Sequence, residues 1–223
     1  MKLLNVNYRL YNMNKFILSF AVLVILPLNN FCQRVKSVVE IPNQKIEILS
    51  GNPKYFKNAK SYHLLFDYSD LKVGEYADEQ AYIEYMKDDA EKRKKNSSDI
   101  WVNKWYSDRK EVFQPKFMEL FNKSFGNKAK VDTVFMNQQY VINLHTQFIE
   151  IGFNRNFKKS PTYINVIVTI YDSNDSEKPL IISMSNLIGN EVLSSYSSDF
   201  RRIEEAYAKC GKELAKYMKR VIY

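Results

Sequence analysis

The spacing of apolar and polar positions separates a greasy leader from a body of mixed helices and strands. The leader opens with Met13-Asn14-Lys15, runs almost unbroken through apolar residues from Phe16 to Leu28, and closes on Asn29-Asn30 and Phe31-Cys32-Gln33. A basic lead, an apolar centre and a polar close make up the three-part pattern of a secretory signal. The apolar centre falls short of the roughly 18 to 20 residues that cross a bilayer core. Pro27 suits the turn before a cleavage site better than the interior of a spanning helix. The expectation is a signal over 1–32 whose better start is Met13, with 1–12 an upstream extension or a misassigned start. Residues 33–223 would then form a single domain.

In the body, the first stretch reads as short extended pieces broken at Pro42-Asn43, with Ile46 and Ile48 before the turn Ser50-Gly51-Asn52-Pro53. Tyr62 to Tyr68, rich in aromatic and aliphatic residues, predicts a strand that stops at Ser69-Asp70. Asp78 to Lys95 predicts a helix with Ile83, Met86 and Ala90 on one face and the basic run Lys92 to Lys95 at its end. A second helical region spans Ile100 to Phe125, where Trp101, Trp105, Phe113, Phe117, Leu120 and Phe121 supply the apolar face. Pro115 lies inside it and predicts a kink or a junction of two helices.

After Gly126-Asn127 the period changes to two. Tyr140, Ile142, Leu144, Thr146 and Phe148 alternate with Val141, Asn143, His145 and Gln147, and the phase slips near Phe148-Ile149, where a bulge is expected. A basic turn, Arg155 to Lys159, leads to a strand from Thr162 to Tyr171 with Ile164, Val166, Val168 and Ile170 on one face. The loop Asp172 to Glu177 then leads to a strand from Leu180 to Leu187, and connections this short predict an antiparallel meander. The last element is an amphipathic helix. Phe200, Ile203, Tyr207, Cys210, Leu214, Tyr217 and Val221 form its stripe, and Ser198 and Asp199 occupy its capped start.

Strand, helices, three strands and a helix predict an α+β fold. Its form would be a two-layer sandwich, with a mainly antiparallel sheet covered on one face by helices. In this order of elements the chain resembles the small envelope domains of the TolB N-terminal and CsgG-like groups. With its signal, Phe66-Asp67-Tyr68-Ser69, Val73-Gly74 and the Trp101 to Trp105 stretch, it is also similar to secreted proteins of Bacteroidota type. That resemblance implies an exported α+β domain and carries no catalytic residue over.

Composition narrows the picture a little further. The chain carries a formal net charge of +8, and removing 1–32, with three bases and no acid, leaves +5. A mildly basic exported protein favours acidic polymers or anionic surfaces, although interspersed charge of both signs also serves solubility alone. Nucleic acid is not an expected partner in that compartment. Cys32 follows Phe31 rather than the small residue a lipoprotein signal needs, so cleavage after Cys32 is the leading reading and a lipid anchor on Cys32 the secondary one. Cys210 would then be the single thiol of the mature chain, a small buried hydrophobe on the last helix.

The candidate chemistry is sparse. His63 and His145 are the two histidines, and neither lies in a zinc-ligand spacing, so no metal or cofactor is expected. Asp67 and Asp70 close the first strand; paired carboxylates can divide acid and base roles, but turns use aspartate for its own sake. Asp172 to Glu177 offers oxygen ligands at alternate positions yet lacks the glycine and the distal glutamate of a calcium loop, and reads as a hairpin turn. Trp101, Trp105 and Arg109 recur every four residues. Such a stripe can anchor a partner or stack on a sugar, and it is equally the face of a core helix, which is the preferred reading. The sequence thus points to a non-enzymatic accessory or binding protein of the cell envelope, periplasmic or secreted, contacting an envelope protein or acidic polymer. An envelope hydrolase using Asp67 and Asp70 is the runner-up.

Overall fold

The computed structural model describes residues 43–155, 158–189 and 199–223; the leader with Met13 and Cys32, and the capping position Ser198, lie outside them. The elements in chain order are β1 (Lys45–Ser50), a 3-10 turn (Pro53–Phe56), β2 (Ser61–Asp67), β3 (Lys72–Val73), α1 (Glu79–Arg93) and α2 (Ser98–Asp108). A wide π-type turn (Arg109–Phe113) joins α2 to α3 (Gln114–Phe125). Then come β4 (Lys130–Asp132), β5 (Tyr140–Glu150), the hairpin β6 (Phe153–Arg155) and β7 (Lys158–Ser160), β8 (Tyr163–Asp172), β9 (Asp175–Ile188) and α4 (Asp199–Val221).

The expected α+β architecture is present. Seven strands form one sheet in the order β1-β9-β8-β5-β2-β4, with β3 also on β5. The meander β5, β8, β9 is antiparallel as its short connections require, and β1 extends it antiparallel along β9. The other half is parallel: β2 pairs with β5, and β4 with β2. The sheet is therefore mixed. The reason lies in the connection from β2 to β4, which runs through three helices and returns the chain in the same direction.

Alternation fixes which face is covered. Tyr62, Leu64, Ile142, Leu144, Ile164, Val166, Val168, Ile170, Ile182 and Met184 are all at most 1% exposed and point toward the helices. The slip expected in β5 is a register shift between Thr146 and Phe148, so Ile149 rather than Phe148 returns to the core. Pro115 has its predicted consequence. It has no N–H for the preceding turn, and the chain widens into a π-type turn just before it.

Helix α3 then presents Phe117, Phe121 and Phe125 from successive turns, each fully buried. Against it lies α4, whose stripe Ile203, Tyr207, Cys210, Leu214 and Met218 is fully buried as well. The two helices meet at Gly211, where a Cβ would collide with the Phe117 carbonyl oxygen. No helix among the described residues is long and apolar enough to cross a membrane.

Candidate functional site

The stripe predicted from Trp101, Trp105 and Arg109 is where α1, α2, the π-type turn, α4 and Tyr68, just past the end of β2, meet. Trp105 is 2% exposed, and its ring stacks on Trp101 with centroids 5.7 Å apart. Tyr82 of α1 meets both rings edge-on, and Phe200 of α4 lies against both at 6.1 Å. The indole N–H of Trp105 donates to Glu79 Oε1 at 2.5 Å, and the Arg109 guanidinium forms an ion pair with the same oxygen. That guanidinium also lies 4.3 Å from the Tyr68 ring centroid. Burial draws the Arg109 pKa below its ordinary value, and burial pushes Tyr68 and Tyr207 up. Tyr207, at the centre of α4, hydrogen-bonds Thr146 at 2.8 Å. Trp105 and Arg109 therefore have packing and pairing roles inside the helix layer.

Asp67 and Asp70 sit where β2 ends, and the turn uses both. Asp67 Oδ1 accepts the Ser69 N–H at 2.8 Å. Burial opposes its ionisation, but the Ser69 bond and the neighbouring His145 hold its carboxyl below the ordinary value. Asp70 is exposed in the left-handed backbone region at φ 56°. His145, opposite Asp67 across β2 and β5, directs Nε2 to the Ser69 carbonyl at 2.7 Å rather than to a hydroxyl. These groups close a turn, and no nucleophile is placed against a base. Cys210 is fully buried, which raises its thiol pKa.

The loop Asp172 to Glu177 resolves into the tight β8–β9 turn. Asp172 Oδ1 accepts from Asn174 N–H at 2.9 Å and Oδ2 from Gln139 Nε2 at 2.6 Å. These bonds, the Asn174 one first, lower the pKa of its carboxyl and keep it ionised. Beside the turn a cleft of about 240 Å³ is lined by Tyr55, Phe56, Tyr140, Asp172, Asp175 and Lys178. Phe56 and Tyr140 meet edge-on at 5.6 Å as its aromatic side, while Tyr55 is 59% exposed. The sequence did not single out Tyr55, because a Tyr-Phe pair between two lysines has no pattern to mark it. A larger depression of about 570 Å³, between α3, α4 and the end of β9, has Leu120, Glu205, Lys209 and Lys212 in its walls, with no aromatic ring among the described residues.

On the sheet face turned away from the helices, the segment between β4 and β5 crosses β2. Here Val134, Phe135 and Met136 are 61%, 59% and 73% exposed. Gln138, 7% exposed, holds them up: its Oε1 accepts from Met136 N–H at 2.6 Å and its Nε2 donates to the Val134 carbonyl at 3.1 Å. Asp132 Oδ1 takes the Val134 N–H at 2.8 Å, and the Phe135 ring stands edge-on to His63 at 5.3 Å.

Comparison with known proteins adds little. No protein-family model matches the chain. No curated protein matches it significantly. Among solved structures it is similar to a PelC dodecamer from Paraburkholderia phytofirmans at 10% identity, TM-score 0.36, over 78% of this chain and 98% of that one. A single-substitution PelC dodecamer from the same organism gives 11% identity and TM-score 0.34 over the same shares. Likeness at this level decides neither fold nor function, so the functional reading rests on the geometry above.

Proposed function

We propose that the chain is an exported, non-enzymatic binding protein of the cell envelope, and that it holds a sugar polymer in the cleft beside the β8–β9 turn. The observation that carries this reading is the pairing of an exposed aromatic ring with fixed carboxylates. Tyr55, 59% exposed, borders the same 240 Å³ cleft as Asp172 and Asp175. Pyranose rings offer C–H faces that lie on aromatic rings and hydroxyls that donate to carboxylates. Asp172 is oriented by Gln139 and Asn174 and needs no rearrangement to accept such a bond. A cleft edged by two aspartates disfavours a strongly acidic polymer, so the cleft suits a neutral or amino-bearing glycan better than the acidic one that net charge alone favours.

The hydrolase alternative draws no support from Asp67 and Asp70, which serve a turn. Export itself is tested by the intact mass of the protein recovered from the envelope, expected to begin at Gln33. Binding is tested by co-sedimentation with envelope polysaccharide, comparing wild type with Tyr55→Ala. Because Tyr55 is exposed, the substitution should leave the fold intact and weaken binding about tenfold, in line with the loss of one stacking ring. Equal binding by both proteins would reject the cleft.

A further inference from the structure

We propose that the loop Val134–Met136 is a membrane-docking tip, and that its partner is an anionic lipid surface. This goes beyond the glycan cleft and does not depend on it. The first ground is display. Three successive large apolar side chains are more than half exposed on a loop whose backbone is fixed by buried Gln138 and by Asp132. A contiguous apolar patch held rigidly in water marks a contact surface. The second ground is the charge around it. Segments 53–60 and 126–139 meet at this end of the sheet, where the Lys130 N–H donates to the Lys60 carbonyl at 3.0 Å.

Those two segments contain Lys54, Lys57, Lys60, Lys128 and Lys130, all exposed, against one acid of their own, Asp132; the adjoining β8–β9 turn adds Asp172 and Asp175 on the side of the cleft. None of the five lysines has an ion-pair partner among the described residues, whereas Lys104, Lys116, Lys209 and Lys216, four of the seven lysines of α2, α3 and α4, are paired. In β4 the buried Val131 points to the core, which turns Lys130 to the same face as the tip. Apolar side chains displayed beside segments rich in unpaired lysines fit the boundary between acyl chains and anionic headgroups. A protein partner would fit a charge-paired rim better than one of unpaired lysines. The short reach of three side chains implies peripheral docking, not insertion across a bilayer.

The test reads the tip locally, because an apolar run such as Phe16 to Leu28 would partition into lipid unaided. Hydrogen exchange is followed on the full chain with phosphatidylcholine vesicles, with and without phosphatidylglycerol. The proposal expects protection of amides 133–137 only with phosphatidylglycerol, reversed at high salt as screening demands. Phe135→Ser with Met136→Ser should cut that protection about tenfold while the melting temperature stays put. Lys128→Gln with Lys130→Gln should reduce it severalfold. Equal protection by both vesicle types overturns the lipid assignment. So does protection that appears without lipid as protein concentration rises, which would identify a second copy as the occupant. Absence of protection in all cases overturns the docking role. Polysaccharide binding is read separately, so failure here leaves the cleft standing and the reverse also holds.

Discussion

The Trp101–Arg109 cluster and the Val134–Met136 loop are built from similar materials and put to opposite uses. Both combine large apolar side chains with neighbouring cations. In the cluster, α1 and α4 close over the rings, and Arg109 is neutralised by Glu79. On the loop no element among the described residues closes over the side chains, and the nearby lysines have no ion-pair partner among them. Composition is alike, but what differs is whether other elements return to the same place. A binding surface is distinguished by what the fold leaves open, and regular spacing marks the part that it covers.

The sharpest way to break this contrast is Trp105→Ala. If the cluster is core, the loss of a buried indole and its bond to Glu79 should cost about 3–5 kcal/mol, seen as a large fall in the denaturant midpoint. An unchanged midpoint would return Trp105 to the surface. Arg109→Met comes next. It strands Glu79 beside Trp105, and because the paired side chains retain 13% and 18% exposure, water screens part of the cost, leaving about 2 kcal/mol. Adding Glu79→Gln should recover part of that loss, the signature of a coupled pair. Simple additivity of the two substitutions would show that the pair is not coupled.

How much of this was legible beforehand follows from the same distinction. Periodicity located every long element because burial of one face imposes it: the stripe from Ile203 to Leu214, the four alternating residues of β8, the slip in β5. Toward the end of α4 the chain buries Met218 and Ile222 where the spacing predicts Tyr217 and Val221, which are half-buried. Pro115 announced a break because it lacks a donor. The parallel pairing of β2 was not visible, since register between Tyr62 and Tyr140, 78 residues apart, leaves no local trace. Neither functional candidate was visible either. Val134-Phe135-Met136 reads as an ordinary apolar triplet until Gln138 is seen to be buried beneath it. Tyr55 acquires neighbours only when the β8–β9 turn folds back toward the 3-10 turn.

A pH experiment sharpens the contrast at the level of titration. Burial raises the pKa of Tyr82 and Tyr207 in and around the cluster, and of Tyr62 in the sheet core. A raised folded-state value means that the stabilisation is complete below the unfolded tyrosine value of about 10 and is lost as pH climbs above it. Each such tyrosine then withdraws up to about 1.4 kcal/mol per pH unit. Melting temperatures should therefore hold to about pH 10 and fall steeply beyond it, and Tyr207→Phe should flatten that fall. A slope identical to wild type in Tyr207→Phe would remove Tyr207 from the account.

The smallest expected effect is at the loop, and its smallness is what matters there. Phe135→Ser and Met136→Ser take large apolar groups from water-exposed positions, so each should move stability by no more than about 0.5 kcal/mol. Gln138→Ala is the internal control. It removes two bonds to the loop backbone from a buried position and should cost about 1–2 kcal/mol, with faster exchange confined to 133–139. A stable protein whose support residue matters more than the side chains it displays is one that keeps those side chains for something outside the fold. If Phe135→Ser instead destabilised as strongly as Gln138→Ala, Phe135 would belong to the core through its contact with His63, and the contrast between cluster and loop would fail.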